Sequence, residues 1–250
     1  NLRVRVKLTL EDIANGVEKE IKIKRAMPAD GLTFKTCTTC HGSGQITRVQ
    51  NTILGQMQTA ATCNDCQGSG QMIDSLPAGV SADGLERKDE VVAIKIPGGV
   101  QDGMQLRVSG KGNHAANGGP AGDLIVSIEE LPHEDLQRDG KHLHYELFLS
   151  MPDVTLGISV EVPTVSGNVK VGIAAGTQSG KILRLKGKGL PNLEGYGTGD
   201  LLIHVAVWTP QTITASDKKA MEALRKSESF KPNPSKKDKG LFSRIREMFS

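Results

Sequence analysis

The sequence reads CTTCHGSGQ at residues 37–45 and CNDCQGSGQ at residues 63–71, two copies of a CxxCxGxG motif that contain every cysteine of the chain. A C-x-x-C pair can span one edge of a tetrahedral metal site, and two pairs supply the four thiolates of a closed structural zinc centre. The motif glycines can enter positive φ without steric cost, which suits sharp turns that point amides at sulfurs. One zinc ion is predicted, with four ligands: Cys37, Cys40, Cys63 and Cys66.

Two other roles for these cysteines were weighed against zinc binding. Buried or disulfide-bonded cysteines would not need a duplicated block with matched glycines. A redox role for one C-x-x-C pair would need a βαβ setting, whereas the flanking sequence has strand patterns without crossover helices. Four metal-bound thiolates fit a reducing compartment, so a cytoplasmic protein is expected.

Composition makes several classes of partner unfavourable. The formal net charge is only +3, too small to indicate nucleic-acid or membrane binding by itself. No run of roughly 18 apolar residues is present, and charged and apolar residues alternate from the start, so neither a membrane span nor a signal peptide is predicted. Aromatic residues are 3% of the chain, so Val, Ile and Leu are expected to form the cores.

The opening residues have the pattern of strands with one buried face. Apolar residues alternate with charged or polar ones from Leu2 to Leu10. Thr9 is suited to cap a helical turn that Gly16 closes, and the alternation resumes from Val17 to Ile23. Paired strands are predicted here, and strands return at Glu90 to Ile96, after the cysteine-rich insert.

The chain contains an internal duplication. The segment IPGGVQDGMQLRVSGKG, which begins at Ile96, recurs 77 residues later as IAAGTQSGKILRLKGKG, and the motif Gly-Asp-Leu at 122–124 recurs at 199–201. Each copy has short alternating strands broken by glycine turns. We therefore predict a mainly β fold with two tandem duplicated small β-sandwich domains and a zinc-knuckle hairpin inserted in the first.

The predicted organisation has four parts. Residues 1–34 and 88–131 form β domain I, residues 35–87 the cysteine-rich insert with its return loop, residues 132–212 β domain II, and residues 213–250 a C-terminal helical segment. Ser216 is the predicted N-cap of a helix that runs to about Glu228. A final short helix, which needs a partner to be stable, has five apolar residues on one face: Leu241, Phe242, Ile245, Met248 and Phe249.

Together these features resemble the DnaJ chaperone family. The resemblance rests on the CxxCxGxG blocks inside the first of two duplicated β domains, the turns IPGGVQDG and AGTQSG, the Gly-Asp-Leu repeats and the terminal helix, and it covers nearly the whole chain. It implies a non-enzymatic co-chaperone region that captures unfolded polypeptides, prevents their aggregation and delivers them to DnaK in protein folding and the heat-shock response. It also implies a homodimer joined through the apolar face of the terminal helix.

The sequence departs from the family pattern in two ways. The J domain, with the His-Pro-Asp signature that stimulates ATP hydrolysis by DnaK, and the glycine-phenylalanine linker are absent, so we expect a C-terminal fragment that does not stimulate DnaK by itself. The family insert has four CxxCxGxG blocks and two zinc ions, whereas residues 25–36 and 72–88, which stand in place of the outer blocks, contain no cysteine. One zinc per chain is therefore implied.

The resemblance also implies a peptide-binding site in β domain I. An extended client strand is expected to add to a sheet edge while one apolar side chain enters a shallow pocket. Five positions match the family's pocket: Leu2, Ile21, Ile23, Val92 and Leu136. Leucine at 136 departs from the aromatic residue common there. Core packing is the alternative for each, because aliphatic residues on alternating strands are more often core than ligand contacts.

Zinc-knuckle nucleic-acid binding is the alternative function. Residues 35–71 offer only Lys35 and Arg48 as cations, with no aromatic residue to stack on bases, so this function is not expected. Catalysis is not expected either, because no histidine has a partner at motif spacing and four thiolates leave zinc no open position.

The basic C-terminal segment could also lie on a membrane surface. Lys236, Lys237 and Lys239 precede the apolar face of the final helix, a combination that suits anionic lipid. So short a helix binds lipid weakly, and the resemblance supplies a protein partner for it. Dimer formation is favoured, and no stable membrane association is expected.

Overall fold

Strands predominate in the part of the chain that this computed structural model describes, residues 1–52, 55–193 and 195–233. The chain divides into two compact units, Asn1–Ala206 and Val207–Ser250. The predicted mainly β fold is confirmed. The division of the first unit into two β domains near residue 132 stays a prediction.

The first repeat and its insert occupy residues 2–130. Their elements are β1 (Leu2–Leu8), α1 (Leu10–Asn15), β2 (Val17–Pro28), β3 (Thr33–Thr36), β4 (Gln45–Thr52), β5 (Gly55–Thr62), β6 (Gln71–Ser75), β7 (Leu85–Ile96), β8 (Gln105–Val108) and β9 (Leu124–Glu130). β9 lies between β1, to which it is parallel, and β8, to which it is antiparallel. β2 and β7 form a long hairpin, and the insert adds two further antiparallel pairs, β3 with β6 and β4 with β5.

The second repeat uses the same elements without an insert. They are β10 (Leu136–Asp139), β11 (His142–Ser150), α2 (Met151–Leu156), β12 (Ile158–Val162), β13 (Val169–Ile173), β14 (Ile182–Leu185) and β15 (Leu201–Trp208). Four strands form one sheet in the order β10, β11, β15, β14, and β12 pairs with β13. Strand β10 precedes β11 and pairs antiparallel with it at the edge of the sheet.

The duplication extends to strand register. Val17 on β2 pairs with Ile96 on β7, and the equivalent residues Ile158 and Ile173 pair in the second repeat. The hairpin strands have 12 residues each in the first repeat and 5 each in the second. The same ladder therefore starts at the same place twice, and only in the first repeat does it continue outward to carry the insert.

A capped helical turn follows the opening strand of each repeat. Thr9 caps α1 as predicted: its side chain accepts from the amide of Asp12, whose carboxylate accepts in return from the amide of Thr9. Ser150 caps α2 with its hydroxyl oxygen, which accepts from the amide of Asp153. Such caps satisfy amides that a helix leaves without partners, so these six-residue helices can begin at a fixed point.

The second unit contains α3 (Ala215–Lys226) and a 3-10 turn (Glu228–Phe230). The predicted N-cap Ser216 is wrong, because Thr214 caps α3 through a capping box with Asp217, and the hydroxyl of Ser216 contacts that of Thr214 at 2.8 Å. No helix of the described residues has the length and apolar content needed to cross a bilayer.

The core of the first repeat is aliphatic, as its composition predicts. Leu8 on β1, Ile13 on α1 and Leu124 on β9 are each 0% exposed. The alternation along β1 places its apolar residues on the buried side and its charged residues outside. The amide of Gly99 donates to the carbonyl of Ile13 at 2.8 Å, which ties the turn after β7 to α1.

Replacement of Leu8 by alanine tests this core. Leu8 is 0% exposed, so its truncation should lower the free energy of unfolding by about 2–5 kcal/mol. Leu156→Ala serves as control: its side chain is 79% exposed, and the change should stay within about 0.5 kcal/mol. Urea titration followed by circular dichroism measures both. Similar midpoints for the two variants would contradict the assignment of Leu8 to the core.

Candidate metal centre and peptide-binding strands

The two CxxCxGxG motifs meet at the junction of the insert's strand pairs. β3 leads into Cys37 and β5 leads into Cys63, and each motif ends where the next strand begins. The amide of Cys37 donates to the carbonyl of Gly70, and the amide of Cys63 donates to the carbonyl of Gly44, both at 2.9 Å. Each motif therefore closes on the other with approximate twofold symmetry.

The four thiol sulfurs form one compact, buried cluster. All lie within 4.8 Å of one another. The Sγ atoms of Cys37 and Cys63 are 3.9 Å apart, and those of Cys40 and Cys66 are 3.6 Å apart. Disulfide sulfurs would be about 2.05 Å apart. Zn–S bonds of about 2.3 Å place the sulfurs of a tetrahedral site about 3.8 Å apart, so the cluster has the dimensions of a zinc site.

Glycines allow the two motifs to approach this closely. The amides of Gly44 and Gly70 donate to the sulfurs of Cys40 and Cys66 at 3.2 and 3.3 Å. Both glycines have positive φ, at 70° and 75°. A Cβ on Gly44 would overlap the carbonyl of the facing motif, and the same holds for Gly70. These positions require glycine both for backbone conformation and for space.

The thiols do not ionise equally without a cation. Burial raises the pKa of Cys66, but amides of the CxGxG turn and the neighbouring thiols outweigh it and bring this pKa to about 7. The amide of Cys66 lowers the pKa of Cys63, yet burial and two neighbouring thiols raise it to about 11. Like charges at these distances oppose one another's ionisation. A divalent ion that prefers thiolates removes this repulsion, and zinc fits the donor set.

Apolar packing around the cluster is sparse. Only Ile46 and Met72, both partly buried, pack against the cysteines among the described residues. On the hairpin beyond, Val49 and Met57 are 54% and 57% exposed. Apolar burial around the cluster therefore contributes little to the stability of the insert.

Three of the predicted peptide-site residues lie on the β2–β7 hairpin. Ile21 on β2 pairs directly with Val92 on β7. Ile23 and Val92 are 3% and 4% exposed, whereas Ile21 is half-buried. Of these three side chains, Ile21 offers the most surface to a ligand.

The other two residues lie in different sheets. Leu2 is half-buried at the start of β1, opposite Leu124. Leu136 is 3% exposed on β10, opposite Tyr145. Strand pairing thus joins Ile21 to Val92 but places Leu136 in the sheet of the second repeat.

One edge of β2 is open along part of its length. Ala26 donates its amide to Oδ1 of Asn113 at 3.0 Å and accepts from the amide of His114 at 2.9 Å, so its polar groups point away from β7. Backbone polar groups alternate sides along a strand, so those of Lys22 and Lys24 point the same way. In the described part of the chain, β7 is the sole strand neighbour of β2. The edge is covered at Ala26 and open before it.

The predicted dimer contact lies outside the described residues. Its apolar side chains belong to the segment after residue 233: Leu241, Phe242, Ile245, Met248 and Phe249. Dimer formation therefore stays a prediction.

A buried charge network in the half of the β2–β7 hairpin nearer the insert was not predicted from the sequence. Arg25 is 6% exposed, forms an ion pair with Glu90 and donates to the carbonyl of Gly112 at 3.1 Å. Lys111 donates to Glu90 at 2.8 Å, and this bond, with the charge of Arg25, holds the pKa of Glu90 below its usual value. The sequence does carry a signal, because Arg25 continues the inward-facing register of Ile23.

The sequence of this chain is similar to those of known proteins. The profile described as DnaJ C terminal domain matches residues 2–210. The Chaperone protein DnaJ of Bacteroides fragilis is 49% identical over 258 aligned residues, which cover 100% of this chain and 65% of that protein.

Further relatives show the same coverage. The Chaperone protein DnaJ of Bacteroides thetaiotaomicron is 48% identical over 259 residues, with 100% of this chain and 65% of that protein covered. That of Chlorobium chlorochromatii is 41% identical over 261 residues, again with 100% and 65% covered. The chain thus spans about two thirds of the length of these relatives. By this similarity along its whole length, the chain belongs to the DnaJ chaperone family.

Proposed function

We propose that this chain is the polypeptide-binding part of a DnaJ-type chaperone. The observation that carries the proposal is the open edge of β2 beside the half-buried side chain of Ile21. Unfolded polypeptides expose both apolar side chains and unpaired backbone groups, and such an edge can bind both. Captured segments would be passed to DnaK, and their aggregation would be limited while they are bound.

The chemistry of the edge favours broad selectivity. Backbone groups of Lys22 and Lys24 would form hydrogen bonds with the backbone of an extended client. These bonds do not depend on the side chains of the client. One apolar client side chain beside Ile21 would set a preference for Leu, Ile or Phe. Burial of such a side chain contributes about 1.5–3 kcal/mol, and the ordering of a flexible peptide offsets much of it. Modest affinity is the expected result.

A proline substitution that removes one backbone amide tests the role of the open edge of β2. Lys22→Pro removes an amide that points outward but leaves the ladder to β7 intact, since proline is tolerated on edge strands. Binding of an unstructured apolar reporter peptide, measured by fluorescence anisotropy, should weaken several-fold. Lys22→Ala is the matched control and should bind as the unchanged protein does. Ile21→Ser should weaken binding similarly.

Equal affinity of Lys22→Pro and Lys22→Ala would exclude this edge, provided that circular dichroism shows both variants folded. The second repeat would then be the next place to look for the client site.

We also propose one structural zinc per chain, held by the four cysteines. Their spacing of 3.6–3.9 Å across the two motifs supports this proposal. Bound zinc would supply the cross-link that holds the sparsely packed insert together, since structural zinc contributes roughly 10–16 kcal/mol in small finger peptides. The remaining strands have their own aliphatic core and do not depend on the ion.

Elemental analysis should return one zinc per chain. Cys63→Ser should abolish zinc binding and unfold the insert, while the β signal of the two repeats remains in circular dichroism. Thr38→Ser, at an exposed position between two of the predicted ligands in the first motif, is the control and should retain the metal. Two zinc ions per chain, or loss of the whole β signal in Cys63→Ser, would contradict the proposal.

We further propose a homodimer joined by the C-terminal segment. The apolar stripe on one face of the final predicted helix supports it, because such a face needs cover from a partner. Deletion of residues 231–250 should yield monomers in light scattering while zinc content stays the same. A dimer mass that is unchanged by this deletion would show that the dimer contact lies outside residues 231–250.

A further inference from the structure

The two repeats touch at a place other than the linker, residues 131–135, that joins β9 to β10. The turn after β7 in the first repeat lies against the loop between β14 and β15 in the second. A Cβ on Gly99 would lie 2.5 Å from the carbonyl oxygen of Pro191, and one on Gly98 would lie 3.2 Å from the ring of Pro191. Glycine therefore lets the backbones of the two repeats come into contact at this junction.

The side chain of Arg138 crosses the junction. Arg138 lies on β10, and its side chain is 11% exposed. Its Nη1 donates to the carbonyl of Val100 at 2.9 Å and to the carboxylate of Glu130 at 2.6 Å, both in the first repeat. Its Nε donates to the carbonyl of Gly140, in the turn after β10, at 2.8 Å. One planar guanidinium is thus bonded to both repeats, and its several donors fix its orientation.

The partners of Arg138 in the first repeat are shielded from water and held in place. Val100 is 0% exposed, and the side chain of Glu130 is 18% exposed. The amide of Glu130 donates to Oδ1 of Asp102 at 2.9 Å, which fixes the end of β9. If the repeats moved apart, a largely buried carboxylate would lose its cation, and such a charge without a partner is costly. The ion pair therefore favours one arrangement of the repeats more strongly than an exposed pair would.

Open space lies on both sides of Arg138. A cleft of about 540 Å³ is lined by Arg138, Glu130 and Pro132, among others. A second cleft, of about 430 Å³, is lined by Arg138 together with Met104 and Leu193. A close-packed interior resists motion, whereas these clefts leave room for one repeat to rotate against the other. Directional bonds to the guanidinium thus hold the junction where packing is incomplete.

We propose that Arg138 is a latch that holds the two repeats in one fixed arrangement. The unchanged protein moves as one body across the junction, and removal of the latch turns the linker of residues 131–135 into a hinge. The latch is independent of peptide binding to β2, because its groups lie on β9, on β10 and in the turns after β7 and β10.

Distances between the two repeats test the latch. Gln105 on β8 and Lys170 on β13, both exposed, would be replaced by p-acetylphenylalanine for spin labelling, so that the cysteines stay unlabelled. Double electron–electron resonance should give one narrow distance distribution when Arg138 is present. Arg138→Met keeps the apolar stem but removes the donors, so the repeats should sample several angles and the distribution should broaden about twofold or more.

Arg184→Met is the matched control. Arg184 pairs with Asp200, which is 4% exposed, so this change also leaves a buried carboxylate without its arginine, but inside the second repeat. Its distance distribution should be the same as that of the unchanged protein. Circular dichroism checks that each variant is folded. If Arg138→Met does not fold, Glu130→Gln breaks the same ion pair from the other side with little change of shape, and it should broaden the distribution too.

Three results would overturn the proposal. The first is a broad distribution while Arg138 is present, which would mean that the repeats are not held. The second is an unchanged width in the folded junction variant. The third is equal broadening by Arg184→Met, which would mean that the loss of a buried ion pair loosens the fold in general and that Arg138 has no special role at the junction.

Discussion

The ladder between β2 and β7 is the constraint on which the first repeat depends. Its 12 residue pairs begin beside the core, where Val17 meets Ile96, and end at Pro28 and Leu85, where the insert starts. Strand alternation along this ladder sends one set of backbone groups to β7 and the other outward. The same geometry therefore positions the cysteine motifs at its far end and leaves part of the outer edge of β2 without a strand neighbour in the part of the chain that the structure describes.

The sequence predicted those features that local chemistry determines. The duplicated cysteine spacing with its matched glycines suits a tetrahedral centre, so the clustering of the four thiols could be predicted from sequence. The cap at Thr9 was also predictable, because its partner Asp12 lies three residues on. Thr214 was missed in favour of Ser216, although Asp217 completes a capping box with Thr214 only.

Depth of burial could not be predicted from the pattern. Alternation assigns Ile21 and Ile23 to one face, but long-range packing decides that Ile23 is buried and that Ile21 is half-buried. Arg25 shows the same limit. Its position marks it as inward-facing, yet the carboxylate that accompanies it, on Glu90, comes from a strand 65 positions away in sequence. The sheet that contains Leu136 likewise depends on the fold as a whole.

The matched hairpins of the two repeats have a consequence for protein engineering. In the second repeat the hairpin closes after 5 residues per strand, through the turn at residues 163–168, and the rest of the repeat is built as in the first. The two repeats therefore show the same scaffold once with a long hairpin extension and once without it. The tip of a hairpin is a place where this architecture accepts extra chain without rearrangement. A fluorescent or affinity module grafted at residues 163–168 would occupy in the second repeat the place that the cysteine-rich insert takes in the first.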